Sequence, residues 1–402
     1  MQEIREALNK KAKFGEDLDL RVYGRKAKKR SRVSELSKVP HEILKSAYEV
    51  GVREKERAGS FFQIDHSAML SKVNEKFEGQ VEVMTVKDAL KKYPWLRDYY
   101  WKAVDVTADK YTARAELEFD DGYFFRILKG AKVTFPLQSC LFIAQRNFNQ
   151  NVHNIIIAEE NSKAQIITGC TLHQGVERAL HIGISEFFIR KNAKLTFTMI
   201  HRWNDNADVR PRTVALVDDN ATFASNYILL NPVRSLQMYP AVFCNGKNSV
   251  ARLNSIIHAT RNTNVDIGSK IVLNGENSRG EVVSRVIGRD SSGVIARGML
   301  EGNVKTGKAH LECRGLLLSD NAYIHSIPEL IGRKEGVDLS HEAAVGKIAD
   351  KEINYLRARG LNEEEATALI VRGFLDVRIM GLPEKIEDEI RKLVDATTKE
   401  AM

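Results

Sequence analysis

A polar corner followed by a short alternating strand recurs through the middle of this chain. The layout is repeated in EENSKAQII, RKNAKLTF, DDNATFAS, GKNSVARL, TRNTNVDI, RDSSGVIA and SDNAYIHS. The corner residues are Asn161, Asn192, Asn220, Asn248, Asn262, Ser291 and Asn321, at spacings of 31, 28, 28, 14, 29 and 30 residues. Asparagine suits a corner because it tolerates left-handed backbone angles and bonds to its own main chain. A period near 29 with one half-period therefore predicts a stacked coil with two strands and two corners per turn.

The fold that this period favours is mainly β, a right-handed parallel β-helix (β-solenoid) with helical regions at both ends. A β-sandwich is the alternative for a run of many short strands. It would need tight hairpin turns of the Asn-Gly or Asp-Gly type, which are scarce in this sequence.

The first part of the chain has a helical period. Residues 36–50 and 86–104 place apolar side chains at three- and four-residue steps. From Ala113 the pattern changes, and ARAELEFDDGYFFRI alternates in the manner of a hairpin. We therefore predict a mainly helical N-terminal region with a basic loop over residues 1–112, and the β-helix core over residues 113–338.

The last part of the chain returns to the helical period. Ser340 can cap a helix that Gly360 would end, and Asn362 begins a second helix with a capping-box pattern. A final charged helix is expected after Pro383. We therefore predict a C-terminal helical region over residues 339–402.

Charge and hydropathy exclude several classes of protein. The formal charge is +8, but the segment YGRKAKKRSR holds six basic residues, without which the charge falls to +2. We interpret this segment as a solvated, mobile loop, with a phosphate or acidic partner as the alternative, and we predict no nucleic-acid binding. The apolar runs are far shorter than the ~18 residues of a membrane span. The N-terminus is rich in both acids and bases rather than secretory in pattern, so a cytoplasmic protein is expected.

The cysteines and an apparent phosphate-binding motif exclude further classes. Cys140, Cys170, Cys244 and Cys313 are widely separated with no CxxC, which argues against a disulfide framework and against a self-contained zinc site. The stretch GNVKTGKA has P-loop spacing, but Ala309 stands where the motif needs Ser or Thr, so no ATP site is predicted.

Soft metal ligands gather near the end of the β region. Cys313 follows His310 and Glu312, and His341 and Glu342 stand together further on; His325 lies between these groups. On an alternating strand Cys313 faces away from His310 and Glu312, so a clamp within this strand is not expected. A thiolate, a carboxylate and an imidazole brought together from a distance would hold iron or a partly built iron–sulfur cluster. The structural alternatives are a small buried apolar residue for Cys313 and an acid favoured by a helix dipole for Glu342.

Three motifs resemble the SufB/SufD family of iron–sulfur cluster assembly scaffolds. They are GCTLHQGVERALHIGISEFFIRKNAKLTFTMIHRWN, HLECRGLLLSDNAYIHSIPEL and LSHEAAVGKIADKEINYLRARGLNEEEATALIVRGFLDV. They cover roughly residues 130–380 in the family's order. The HEA motif is typical of SufB, because SufD usually has glycine after the histidine.

The resemblance implies a cluster site and a route for sulfur. Cys313 stands where SufB has its essential cysteine, and Cys170 matches the cysteine that receives sulfur. Sulfur would pass as a persulfide from Cys170 through the β-helix to Cys313, where a [4Fe-4S] cluster would form with help from Glu342 and His341.

The chain departs from the family in two ways that bear on its type. The family's Gln-Asn-Trp is here His201-Arg202-Trp203, and the chain is shorter than most SufB proteins. We interpret it as a compact SufB-like subunit that works as a homodimer without SufD.

The resemblance also implies a partner. SufC, an ABC-type ATPase, would dock on the C-terminal helices, and this chain would be a scaffold rather than an enzyme. The expected contact residues are Glu363, Ala366, Leu369, Ile370, Phe374 and Val377. The alternatives are a SufD-like structural partner without a cluster and a carbohydrate-active β-helix enzyme. Neither the sulfur donor nor a flavin requirement is implied.

Overall fold

The computed structural model describes residues 1–376 and, beyond them, Glu384, Glu387, Asp388, Arg391 and Lys392. Strands hold 44% of the residues and form a parallel β-solenoid of about 8 turns, which confirms the predicted fold. The strands are β1 (Gly59–Ile64), β2 (Ser67–Val73), β3 (Val81–Thr85), β4 (Tyr123–Ile127), β5 (Leu137–Ile143), β6 (Phe148–Ala158), β7 (Lys163–Leu172), β8 (Ala179–Ile189), β9 (Lys194–Arg202), β10 (Ala207–Val209), β11 (Arg212–Val217), β12 (Thr222–Leu229), β13 (Ser235–Met238), β14 (Ala241–Cys244), β15 (Val250–Ala259), β16 (Asn264–Leu273), β17 (Arg279–Gly288), β18 (Gly293–Gly302), β19 (Lys308–Leu317), β20 (Tyr323–Gly332) and β21 (Asp338–Lys347).

Six helices flank the strands in the described part of the chain. They are α1 (Gln2–Ala7), α2 (His41–Tyr48), α3 (Val86–Lys92), α4 (Lys110–Leu117), α5 (Asp350–Arg357) and α6 (Glu363–Phe374). None of the described helices is long and apolar enough to cross a membrane.

Two sheets face each other across the solenoid. Sheet 1 runs in the order β2-β1-β5-β7-β9-β12-β15-β17-β19-β21. Sheet 2 begins β3-β4-β6-β8 and ends β16-β18-β20, and between these groups pairs of short strands, β10 with β11 and β13 with β14, replace single long ones. Pro211 and Pro240 lie in the gaps of these pairs, because proline cannot donate a ladder hydrogen bond.

The two ends of the solenoid differ. At the N-terminal end the antiparallel strands β2 and β3 lie outside β1 and β4 and close the coil. At the C-terminal end β20 pairs only with β18, and β21 pairs only with β19, among the strands that the structure describes. This second end is the open end of the solenoid.

The predicted corner geometry is present at the first four repeats. Asn161, Asn192, Asn220 and Asn248 have positive φ angles of 60°, 60°, 54° and 55°. Two pairs of these corners are bonded side chain to side chain, since Asn192 Nδ2 donates to Asn161 Oδ1 and Asn248 Nδ2 donates to Asn220 Oδ1, each at 2.9 Å. At the later corners the left-handed residue lies one position earlier than predicted, at Arg261 and Asp290, and Asn321 lies in a turn without such an angle.

The predicted helix from Ser340 is wrong. This stretch is β21, which pairs over ten residues with β19, from Lys308 opposite Asp338 to Leu317 opposite Lys347. Pairing with the preceding coil satisfies the backbone of β21 along its whole length and overrides its helical apolar period. The solenoid therefore extends past residue 338, and the helices begin with α5.

The predicted hairpin after Ala113 is also wrong. Helix α4 occupies this position, and Asp109 and Thr112 form its capping box. Strand β4 follows and pairs in parallel with β6 and antiparallel with β3. The first region also supplies β1, β2 and β3, so it contributes to the solenoid as well as carrying helices.

The basic segment is anchored rather than a free loop. Arg25 donates hydrogen bonds to Asp120 and to the carbonyl oxygens of Glu118 and Asn149. Further along, the backbone N–H of Val33 donates to the Met69 carbonyl oxygen at 2.8 Å. The lysine side chains at positions 26, 28 and 29 are exposed. The segment therefore crosses the surface in a defined path and presents its lysines to solvent.

Helix α6 packs on the outer face of sheet 1. Its Val371 joins an apolar cluster that includes Ile256, Ile287 and Leu316, which lie on β15, β17 and β19. The charged helix predicted after Pro383 lies almost entirely outside the described residues.

Candidate metal centre and sulfur site

Cys313 lies on the inner face of β19, one coil from the open end. Its side chain packs with Leu311 in the central core and is 5% exposed. Burial and the charge of Glu312 raise the pKa of the Cys313 thiol, and a hydrogen bond with Ser326 of β20 opposes this shift. The thiol is therefore protonated at neutral pH, and a metal ion would have to displace its proton.

His341 shares this inner face. It is paired with Leu311, while Cys313 is paired with Ala343, so His341 and Cys313 are diagonal neighbours on adjacent strands. Strand spacing and rise place their Cα atoms about 8 Å apart. At this separation an imidazole and a thiol can bind the same metal ion. His341 is exposed at the open end. The structure thus brings together two of the predicted ligands.

Glu342 lies on the opposite, outer face of the same strand. It is paired with Glu312, and its Oε1 atom is 3.4 Å from Nη2 of Arg314. Because Glu342 is in a strand, a helix dipole does not account for it. Within one chain the sheet separates the Glu342 carboxylate from the Cys313 thiol.

The remaining soft ligands are also dispersed. His310 lies on the outer face, where its Nδ1 is 2.9 Å from the Ser340 hydroxyl. His325 neighbours Ser326 in β20 and so faces away from the interior. Across the described residues no three His, Cys, Asp or Glu side chains form a group that could hold a metal ion. A single chain therefore offers an incomplete set of ligands.

Cys170 is buried on the inner face of β7, far from Cys313. Five strand-to-strand steps separate β7 from β19 in sheet 1, a distance of about 24 Å. Cys170 is 0% exposed, and burial raises the pKa of its thiol. Direct contact between the two cysteines is excluded.

Polar side chains that sequence reasoning did not assign to the interior surround Cys170. His201 is its direct register partner on β9, and its Nδ1 is 2.9 Å from the Tyr227 hydroxyl. The His201 Nε2 and Trp203 Nε1 atoms are buried without hydrogen-bond partners in the described chain, and their rings are 5.3 Å apart. Burial lowers the pKa of His201 well below its usual value, so the imidazole is neutral. The repeat period could have placed His201 beside Cys170, because 31 residues separate them.

A column of mainly hydroxyl-bearing side chains, interrupted by Met199, runs along the inner face of sheet 1 and ends at Cys313. Ser255 Oγ donates to Ser284 Oγ at 2.9 Å, and Ser284 is the register partner of Cys313. Tyr227 and Ser255 line an internal cavity of about 30 Å³, large enough for a water molecule. In strand order the column is Ser139, Thr168, Met199, Tyr227, Ser255, Ser284 and Cys313.

The residues expected to contact the ATPase lie in two environments on α6, one buried against the solenoid and one facing outward. Ala366 is 0% exposed, and Phe374 packs against the apolar cluster on sheet 1. Leu369 is 45% exposed, Ile370 is half-buried and Glu363 is exposed. Val377 lies outside the described residues. The outward apolar surface of the two helices consists of Leu369 together with Tyr355 of α5, which is 58% exposed.

The raised pKa values of the buried thiols predict a loss of stability at alkaline pH. Burial raises the pKa of all four cysteines above the ordinary value, to about 12 for Cys244. Each thiol therefore contributes stability that is fully present below the unfolded pKa of about 8.5 and is lost as the pH rises toward the folded value. Between roughly pH 8 and pH 10 the loss in the free energy of unfolding should be about 2 kcal/mol smaller in Cys244→Ser than in the parent chain.

Urea unfolding at the two pH values measures this difference. Serine is a suitable replacement because Ser249 already bonds to the Cys244 side chain. Equal losses in both proteins would show that the Cys244 thiol ionises in the folded state as readily as in the unfolded chain.

The architecture and the dispersed ligands together characterise this chain. It is a parallel β-solenoid that displays soft metal ligands at one open end, and in the described residues no complete metal centre is preassembled. Residues 141–374 match the family model for the SufBD core domain of the SUF system for iron–sulfur cluster assembly. The chain belongs to the SufBD family, as its motifs predicted.

Relatives support this membership along nearly the whole chain. An iron–sulfur cluster assembly SufBD family protein of Methanothermobacter thermautotrophicus is 45% identical over 99% of this chain and 98% of its own. One from Archaeoglobus fulgidus is 48% identical over 88% of this chain and 95% of its own. The iron–sulfur cluster assembly protein SufB of Bacillus subtilis is 29% identical over 89% of this chain and 78% of its own.

Proposed function

We propose that this chain is a SufB-like scaffold that receives iron and sulfur and builds a cluster at its open end. The observation that carries the proposal is the placement of Cys313 and His341 on one inner face beside that end. Thiolate and imidazole are ligands that iron–sulfur chemistry uses. The cluster is the cargo of the scaffold, and it forms there before transfer to other proteins.

A second copy of the chain would complete the site. The unpaired edges of β20 and β21 expose Tyr323 (52%), Leu330 (38%) and Val345 (40%), and unpaired strand edges invite pairing with another chain. In a two-fold dimer the contacts are reciprocal, so His341 of one subunit approaches Cys313 of the other. Two equivalent sites would result near the axis.

Sulfur would enter at Cys170 and leave at Cys313. A persulfide is a reversible state of a cysteine, and the buried position of Cys170 protects it from outside thiols. The two thiols are about 24 Å apart, too far for direct exchange, and a hydroxyl group cannot accept a sulfane sulfur atom. A carrier thiol admitted to the interior would therefore have to take the outer sulfur from the Cys170 persulfide, which restores the Cys170 thiol, and then give it to the Cys313 thiol.

An ABC-type ATPase of the SufC kind would supply the driving force. It would dock on the outward surface of the C-terminal helices and, by closing on ATP, pull the scaffold subunits apart. Two of the other expected contact residues, Ala366 and Phe374, would hold α6 on the solenoid.

Leu369→Asp is expected to release the ATPase without unfolding the scaffold. Leu369 is 45% exposed, so a carboxylate there costs little stability but is desolvated in an apolar interface. Co-purification of the two subunits measures release, and thermal unfolding measures stability. The control is Val371→Asp, which is 1% exposed and should destabilise the docked helix itself. A complex that survives Leu369→Asp would place the docking surface elsewhere.

One observation favours a second candidate, a SufD-like structural partner without its own cluster. Glu342 is held by Arg314 on the face opposite Cys313, so the ligands of one chain do not converge. Anaerobic co-purification with the ATPase, followed by iron and acid-labile sulfide analysis, separates the candidates. A scaffold retains both elements in proportion, whereas a structural partner forms the complex and contains neither.

A further inference from the structure

Four charged side chains form a ladder on the outer face of the last coils. Arg285 Nη2 is 2.9 Å from Glu312 Oε1, and Arg314 Nε is 3.0 Å from the same oxygen. Arg314 Nη2 is in turn 3.4 Å from Glu342 Oε1. The ladder crosses β17, β19 and β21 and ends at a residue of the proposed cluster site.

The register explains why Arg314 is needed at this point. Glu312 and Glu342 are direct partners across β19 and β21, and like charges opposite each other destabilise a sheet. The Arg314 guanidinium lies within ion-pairing distance of both carboxylates and donates a hydrogen bond from Nη2 to Glu342. Removing it would leave two adjacent carboxylates without a bridging cation.

The side chains of the ladder become more exposed toward the open end. The Arg285 guanidinium lies 5.8 Å from the ring centre of Phe374 in α6, and the Arg285 and Glu312 side chains are each 17% exposed. Exposure rises to 41% for Arg314 and 59% for Glu342. Exposed ion pairs contribute little stability, so the outermost contact is the one that a competing cation can most readily replace.

We propose that Arg314 is a positioning residue that holds the Glu342 carboxylate on the outer face until iron displaces it. The inference rests on the proposed function for the ligand role of Glu342, but the bridge itself is independent of that role. Strand β21 is the edge of sheet 1, so no described strand blocks the path of the Glu342 side chain around that edge. Arg314 therefore sets how readily Glu342 becomes available to iron.

Anaerobic titration of the full-length chain with ferrous iron tests the proposal. Arg314→Gln should bind iron about twofold to fivefold more tightly, the factor that corresponds to releasing an exposed ion pair. Adding Glu342→Gln should abolish the gain, and Arg314→Lys, which keeps the charge, should stay near the parent affinity. Tighter binding is the diagnostic result, because a purely structural loss would weaken binding or leave it unchanged.

A matched control and a metal-free measurement complete the test. Arg252 pairs with Glu281 at 3.4 Å on the same outer face, away from the open end, so Arg252→Gln should leave iron affinity unchanged. Urea unfolding of the Arg314→Gln and Glu342→Gln single variants and of the double variant gives the change in the free energy of unfolding for each. The change in the double variant should differ from the sum of the two single changes, as for any interacting pair.

The outcomes separate the positioning inference from the proposed function. Non-additive unfolding together with tighter iron binding supports both. Non-additive unfolding with unchanged iron affinity supports positioning by Arg314 and refutes the ligand role of Glu342. Additive unfolding, whatever the iron affinity, overturns the positioning inference.

Discussion

Replacement of Cys313 by serine is expected to abolish cluster assembly while leaving the solenoid folded. The substitution is nearly isosteric, and Ser326 already bonds to this side chain, so the new hydroxyl has a partner. It removes the one soft sulfur ligand near the open end, and a neutral hydroxyl does not replace a thiolate in an iron–sulfur site. Visible absorption, iron and acid-labile sulfide after anaerobic reconstitution with the ATPase should all fall to background.

Cys244→Ser is the matched control for this prediction. Cys244 is also a buried thiol on the inner wall of the solenoid, but it lies on β14, away from the open end. This variant should assemble a cluster as the parent chain does. Parent-like absorption in Cys313→Ser would refute the assignment of Cys313, and loss of the cluster in both variants would indicate a general dependence on core thiols.

Mixed dimers are expected to recover about half of the parent cluster content, because one of two equivalent sites is intact. One subunit carries Cys313→Ser and the other carries His341→Ala, so a single interface site keeps both ligands in trans. His341 is exposed on the edge strand, where a second copy would meet it. Each homodimer of a variant should contain almost no cluster.

Two differently tagged subunits, purified in sequence, isolate the mixed dimer for iron and sulfide analysis. Cys313 and His341 are also neighbours within one chain, so an arrangement in cis has a clear signature. Verified mixed dimers that contain no cluster would show that both ligands act within a single subunit. A mixed dimer of parent and doubly substituted chains, which keeps both ligands in cis, is the reference for that case.

Local patterns in the sequence predicted the solenoid and its corners. Asn161, Asn192, Asn220 and Asn248 were placed in corners because asparagine accepts left-handed angles, and each has one. The period near 29 residues reflects the length of one coil, and it survives changes in the individual side chains. The family was predicted from three motifs, and the family model matches the same part of the chain.

Local patterns failed where distant strands decide the conformation. The residues after Ser340 have a helical apolar period. They nevertheless form a strand, because they pair with β19, which lies about thirty residues earlier. Near Ala113 the expected hairpin is replaced by α4, which begins at a local capping box, and by β4, which pairs with β3 and β6. Secondary structure at both ends of the solenoid depends on which backbone groups the neighbouring coil leaves unpaired, and a local window does not contain that information.

The amino-acid sequence was sufficient to predict the repeat, the family and the residue types that can bind iron or carry sulfur. It was not sufficient to predict which faces of the solenoid those residues occupy. Register puts Cys313 and His341 inside and Glu342 outside against Arg314, and it aligns Ser255 and Ser284 with Cys313. The reason is that side chains alternate between faces, so a shift of one residue in strand pairing reverses every orientation, and the pairing is set by contacts between coils.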